Sequence, residues 1–139
     1  MILLDTDVLI YASSTASACR DWALETIAGA VAGDGAAINT VILAELCVGD
    51  SDPPMVGARM REWGISIIDV PAAASDVCAQ AYRRYRRRRN EETGKSSPAM
   101  PLPDFFIGAH AQVMDWPIAT ADKGRLETYF PNVRLVTPR

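Results

Sequence analysis

Short apolar runs alternate with amphipathic stretches along the chain. Ile2-Leu3-Leu4 is an apolar run cut off by Asp5 and predicts a buried strand, followed by a helix over Val8–Ala12. Residues 19–32 set Trp22, Ile27 and Val31 among small side chains and predict a helix, which Gly33-Asp34-Gly35 stops. Ala36–Asn39 predicts a second strand. Thr40 is placed to cap a helix over Val41–Val48, ended by Gly49. Pro53-Pro54 starts a helix through Trp63, Gly64 ends it, and Ile65–Val70 predicts a third strand. In the long helix expected over Ala73–Asn90, Cys78, Ala81, Tyr82 and Tyr85 recur at i, i+3, i+4 and i+7, forming one apolar stripe. Residues 91–103 are polar with Gly and Pro and predict a mobile loop. A helix from Asp104 to Met114, a strand over Trp116–Thr120, a short helix over Arg125–Tyr129 and a last strand over Val133–Val136 complete the pattern.

Strands and helices in alternation predict the α/β class: a parallel sheet with helices on both faces, in one domain over residues 1–139. In such sheets the working edge lies beyond the carboxyl ends of the strands. Asp5 and Asp122 directly follow predicted strands. Glu45 and Asp104 lie in helices that leave the same edge. Glu45 is the one polar side chain between Val41 and Val48, an octet apolar enough to be buried on nearly all sides. A buried carboxylate costs several kcal/mol unless it is paired or binds a metal. The alternative for Glu45 is a partner arginine in the core. For Asp5 and Asp104 it is a helix cap, and for Asp7 ordinary first-turn helix-dipole chemistry. Asp122 by itself is a common kind of loop aspartate. Four acids converging on one edge repel one another, an arrangement that persists around a cation. Oxygen donors alone favour Mg²⁺ or Mn²⁺ over zinc.

Composition narrows the chemistry. The chain has one histidine, His110, so two-histidine metal sites cannot form within it. His110 itself is expected on a helix surface. The three cysteines, Cys19, Cys47 and Cys78, are far apart and odd in number, which fits a reducing cytoplasm better than a disulfide framework. The acidic N-terminus is not a signal peptide, and no apolar run reaches membrane-spanning length. Gly94-Lys95-Ser96 resembles the end of a P-loop, but Arg89 stands where the first glycine is needed. With 49% hydrophobic and 22% charged residues the chain should fold as a globule. Its net charge of −3 gives no general attraction for nucleic acid. Local charge differs: Arg83, Arg84, Arg86, Arg87, Arg88 and Arg89 are interrupted only by Tyr85. Like charges at helical spacing destabilise a helix. A compensating anion is therefore expected at Arg86–Arg89, either a phosphate backbone or an acidic partner segment, against the plainer reading of a solvated face.

These segments together resemble the PIN-domain endoribonucleases, and within them the VapC-type toxins of prokaryotic toxin–antitoxin pairs. Residues 3–10 (LDTDVLI after Leu3) are similar to the family's opening motif and 40–46 (TVILAEL) to its helix with the second acid. Residues 103–111 (PDFFIGAHA) are similar to its third motif. Residues 118–122 (IATAD), followed by Phe130-Pro131, are similar to its T-x-D close. The order and spacing of all four carry the resemblance, over nearly the whole chain. It implies a three-layer α/β/α sandwich, Mg²⁺ or Mn²⁺, RNA cleavage, a homodimer and a cognate antitoxin partner. It also implies that Asp5, Glu45, Asp104 and Asp122 hold the metal, with support from Thr120 and Asp7. The chain departs from the family in carrying Asp7 where Asn or Ser is frequent, and in a longer stretch between Arg86 and Pro103. Two rival readings remain. One is a haloacid-dehalogenase-like phosphatase with Asp5 as nucleophile, which leaves Glu45 unexplained. The other is a non-enzymatic module, receiver-like or a degenerate PIN fold.

Overall fold

The computed structural model describes residues 1–93 and 102–139. Its first strand, β1 (Ile2–Leu4), gives way at Asp5 to α1 (Thr6–Ser13), which therefore starts earlier than the apolar pattern alone suggested. There follow α2 (Arg20–Ala32), β2 (Ala36–Asn39), α3 (Thr40–Val48), α4 (Pro53–Glu62), β3 (Ile65–Ile68) and α5 (Ala74–Thr93). The chain closes with α6 (Pro103–Met114), β4 (Ile118–Ala119), α7 (Gly124–Tyr129) and β5 (Leu135–Val136). The last strands are shorter than expected; only the residues that pair, such as Ile118 with Leu135, are extended in register. The loop expected over 91–103 is helical at both ends, because α5 continues to Thr93 and α6 begins at Pro103. Its middle, 94–101, lies outside the described residues.

The five strands are all parallel, in the order β3-β2-β1-β4-β5, and helices flank the sheet in the expected three-layer arrangement. The chain winds outward from β1 through β2 to β3, then returns to pair β4 with the other side of β1. Right-handed crossovers in opposite directions put the connecting helices on opposite faces. They also open a crevice beyond the carboxyl ends of β1 and β4, where the winding reverses. Leu3, Leu4, Ile38, Ile118 and Phe105 fill the core around this point. Each contributes about 1.5–3 kcal/mol relative to leaving it in water. Gly108 lets α6 approach Phe130, since a Cβ there would collide with the ring.

Three expectations are corrected. Asn39, not Thr40, caps α3: its side chain accepts from the Ile42 N–H at 2.9 Å. The apolar octet of α3 is not buried all round; Ile42 is buried but Val48 is 89% exposed, because this helix lies against the body along one side only. His110 is not a surface residue but completely buried, packed against Trp116, with Nδ1 facing the Asn39 amide. Among the described residues no helix is long and apolar enough to cross a membrane.

Candidate active site

The end of β1 delivers Asp5 to the crevice. Its extended backbone makes it the N-cap of α1, with Oδ1 accepting from the Thr6 N–H at 2.8 Å. Oδ2 accepts from the Thr120 hydroxyl, also at 2.8 Å. The cap and the site are thus one side chain, held at both oxygens. Thr120 is fully buried at the end of β4, and its hydroxyl accepts from the Asp122 N–H at 3.1 Å. One hydroxyl therefore ties the two strand ends together and sets the loop that carries Asp122. Asp7, one residue into α1, accepts from the Ala121 N–H at 3.0 Å through Oδ2, while its Oδ1 is buried without a hydrogen-bond partner among the described residues. Asp7 pins α1 to the segment after β4.

Asp104 arrives from the first turn of α6. It is not the helix cap that was its alternative reading; Leu102 holds that position and makes no side-chain cap bond. Asp104 instead faces Arg125 of α7, whose Nη1 lies 3.2 Å from Oδ2. Asp5, Asp104, Asp122 and Arg125 line one pocket with Ile107 and Leu126. Its cavity volume is about 40 Å³, space for an ion and a few waters rather than for a base. Glu45 does not line this pocket; it is half-buried beside it, accepts from the Thr6 hydroxyl at 3.0 Å, and acts on Asp5 and Asp104 through its charge. It has neither the full burial nor the arginine partner in the core that the sequence left open.

The electrostatics follow from this crowding. Burial pushes the Asp5 carboxyl up to about 6; the Asp7 and Glu45 charges add to the rise, and the bonds from Thr120 and Thr6 oppose it. Burial also raises Asp7, against the Ala121 N–H. Glu45 is raised by burial and by the Asp104 charge, against the Thr6 bond and the Arg125 charge.

The sequence matches the PIN domain family over residues 2–131. The chain belongs to the PIN-domain family. No curated protein matches this PIN domain in sequence. Solved structures similar to it include VapBC2 of Rickettsia felis bound to a promoter DNA fragment, at 22% identity over 100% of both chains with a TM-score of 0.64. FitAcB of Neisseria gonorrhoeae is 19% identical over 99% of this chain and 98% of the other, with a TM-score of 0.68. VapC20 of Mycobacterium tuberculosis, a toxin that cleaves the sarcin-ricin loop, is 16% identical over 96% and 99%, with a TM-score of 0.65. At these identities the structures establish the fold. Family membership sets aside the phosphatase and receiver readings.

The donor set of this PIN domain fits a hard divalent cation: it is all oxygen, desolvated, self-repelling, and flanked by the unpartnered Oδ1 of Asp7. As they stand, no three acids among the described residues are close enough to hold an ion together. Asp104 is engaged by Arg125 instead. Sequence reasoning missed Thr6 and Arg125 in the site and, behind it, the buried Asn39–His110 pair. Thr6 lies between two acids at the start of a helix, a signal that was legible. Arg125 left no local signal, because its partner Asp104 stands at the head of another helix. The Asn39–His110 pair left no local signal.

Proposed function

We propose that this PIN domain, residues 1–139, is a Mg²⁺- or Mn²⁺-dependent endoribonuclease. It would act in the cytoplasm as the toxin of a toxin–antitoxin pair, as a homodimer restrained by a cognate antitoxin. The observation that carries the reading is the convergence of Asp5, Asp104 and Asp122 on one small pocket, with the Asp5 carboxyl raised to about 6. Family membership and the toxin–antitoxin structures that share the fold support it.

In this reading Asp5 and Asp104 hold the ion most directly, and Glu45 and Asp122 complete the set, directly or through waters. The bound ion supplies two things: a lower pKa for the attacking water and neutralisation of charge on the phosphate. The remaining work belongs to the chain. Thr120 and Thr6 keep the Asp5 and Glu45 oxygens oriented, and Asp7 fixes the α1 turn against the β4–α7 segment. The water oxygen forms the new bond to phosphorus as one P–O ester bond breaks. The departing oxygen takes up a proton, leaving a phosphate monoester on one fragment and a hydroxyl on the other. Arg86, Arg87, Arg88 and Arg89 position the strand or dock an acidic partner segment without reading bases.

The test is cleavage of total RNA with and without Mg²⁺. Cleavage should need the ion and should vanish in Asp5→Asn and Asp104→Asn while circular dichroism is unchanged. Wild-type rates in either variant would sink the assignment.

A further inference from the structure

Three carboxylates, Asp5, Asp104 and Asp122, line the pocket, and the charge of Glu45 acts on Asp5 and Asp104 from beside it; on the nuclease reading this is where a phosphodiester must approach. A divalent cation leaves the charge of the four acids in excess by two, so a phosphate approaching the site is still repelled. Among the described residues, Arg125 is the only cationic side chain lining the pocket. It sits on α7, which is anchored by the buried Leu126 and followed by the buried Phe130, so its backbone is fixed relative to Asp122. Its guanidinium contacts Asp104 through Nη1 at 3.2 Å, and its side chain is 38% exposed. A guanidinium has five donors in a planar fork, suited to two oxygens of a phosphate and charged at every working pH. Among the described residues its one ion pair is with Asp104, which leaves most of that fork unspent. The Arg125 charge also acts on Glu45, so its field covers the pocket rather than one acid.

We infer that Arg125 is a catalytic residue of this site. Its guanidinium rests on Asp104 in the metal-free protein and transfers to the scissile phosphate when a metal ion takes the Asp104 carboxylate. The inference rests on the nuclease reading for its substrate. It assigns a role to a residue outside the acid set. The exchange has a thermodynamic signature: Arg125 competes with the metal for Asp104 and cooperates with it in holding phosphate. Removing Arg125 should therefore change the two affinities in opposite directions.

The experiment compares the wild-type chain with Arg125→Gln and Arg125→Lys. Titration calorimetry with Mn²⁺ alone should show Arg125→Gln binding the ion more tightly, roughly 2- to 5-fold, the size expected for losing a partly exposed ion pair. Calorimetry with inorganic phosphate in saturating Mn²⁺ should show phosphate binding by the wild type and its loss in Arg125→Gln. RNA cleavage at saturating Mn²⁺ should then fall in kcat by roughly 10²-fold or more, the scale of removing one donor to developing charge. Arg125→Lys should recover part of both effects, since it keeps the charge and loses the fork. Tighter Mn²⁺ binding with unchanged phosphate binding and cleavage would make Arg125 a resting counter-ion only and overturn the inference. So would weaker Mn²⁺ binding, which would mean that Arg125 organises the acids. If the wild type cleaves no RNA, the nuclease reading fails separately. The phosphate and Mn²⁺ titrations still decide for or against Arg125.

Discussion

The side-chain amide of Asn39 lies 3.3 Å from Nδ1 of His110, joining the end of β2 to the middle of α6 through a contact in which both residues are fully buried. The direction of the bond follows from the other end of Asn39. Its Oδ1 accepts from the Ile42 N–H, so Nδ2 is the group turned to the ring. His110 must then accept at Nδ1 and carry its proton on Nε2, which has no hydrogen-bond partner among the described residues. The pair spans the helix that carries Glu45 and the helix that carries Asp104. It sets the spacing of two acids without touching either.

This neutral ring makes a pH prediction. Burial lowers the His110 pKa below its ordinary 6.5. The unfolded chain then binds a proton that the native state refuses, so His110 gives its full stability above about 6.5 and loses it as pH falls below that value. A ring protonated at Nδ1 would also face a donor amide. Urea unfolding in chelator should show a His110-dependent loss of stability as pH falls below 6.5. His110→Leu should remove that component. It should also cost roughly 1–3 kcal/mol at pH 7, because the Asn39 amide is left buried without its acceptor. A pH profile unchanged in His110→Leu would contradict the neutral-ring assignment.

Asp5 has the opposite sign. Its carboxyl is raised from 3.8 to about 6, so its contribution to native stability is greatest below 3.8 and is lost as pH rises through 6. In chelator, Asp5→Asn should therefore be as stable as the wild type at pH 7, or more so by on the order of 1–2 kcal/mol. The charge penalty outweighs the weakened helix cap. The difference should shrink as pH falls toward 4. With Mn²⁺ the same group works the other way. The ion needs the ionised carboxylate, so affinity should weaken about tenfold per pH unit below 6. Calorimetry at pH 5, 6 and 7 checks this; a flat profile would remove Asp5 from the metal set.

Much of this was legible from local signals. Asp5 and Asp122 stood out because an apolar run ends abruptly at a strand terminus, and the position of a strand end is set by sequence nearby. The parallel sheet followed from strands too apolar to alternate, such as the wholly buried Ala36–Asn39. The failures share a physical cause. Apolar composition does not distinguish a core helix from one with an apolar outer face, which is why α3 was expected to be deeply buried and Val48 is 89% exposed. Contacts across large sequence separations leave no local trace, so His110 read as a surface residue until its partner 71 positions away was in place. Arg125 was invisible for the same reason: its meaning depends on Asp104, at the head of another helix.

Gly108 offers a packing test independent of the chemistry. A methyl group at this position would collide with Cδ2 and Cε2 of Phe130, a ring that is itself 2% exposed and packed near Phe105. The ring has nowhere to go without displacing its neighbours. Gly108→Ala should destabilise by roughly 1–3 kcal/mol despite the better helix propensity of alanine. Adding Phe130→Leu should recover part of the loss, since the double variant trades the ring edge for space. Thermal unfolding of both variants measures this. A neutral Gly108→Ala would mean that α6 does not pack on Phe130 as described.

The arginine run is now divided by its contacts. Arg84 donates to the Tyr129 carbonyl at 3.1 Å, and Arg88 pairs with Glu92 at 3.0 Å one turn on. These two are engaged on the protein's own surface. Arg86 and Arg87 are exposed, on the stretch of α5 that leads toward Thr93. If α5 holds RNA through its phosphates, Arg86→Gln with Arg87→Gln should weaken binding more than Arg84→Gln with Arg88→Gln. The first pair should also flatten the plot of log affinity against log salt by roughly 0.7 per arginine removed, since a single strand that meets fewer positive charges releases fewer counterions. Cleavage at saturating RNA should change little, because these side chains position the strand and do not build the metal pocket. Fluorescence anisotropy across a salt series, in the Asp104→Asn background to prevent turnover, gives the slopes. Equal slopes for the two double variants and the parent would return the whole run to a solvated helix face.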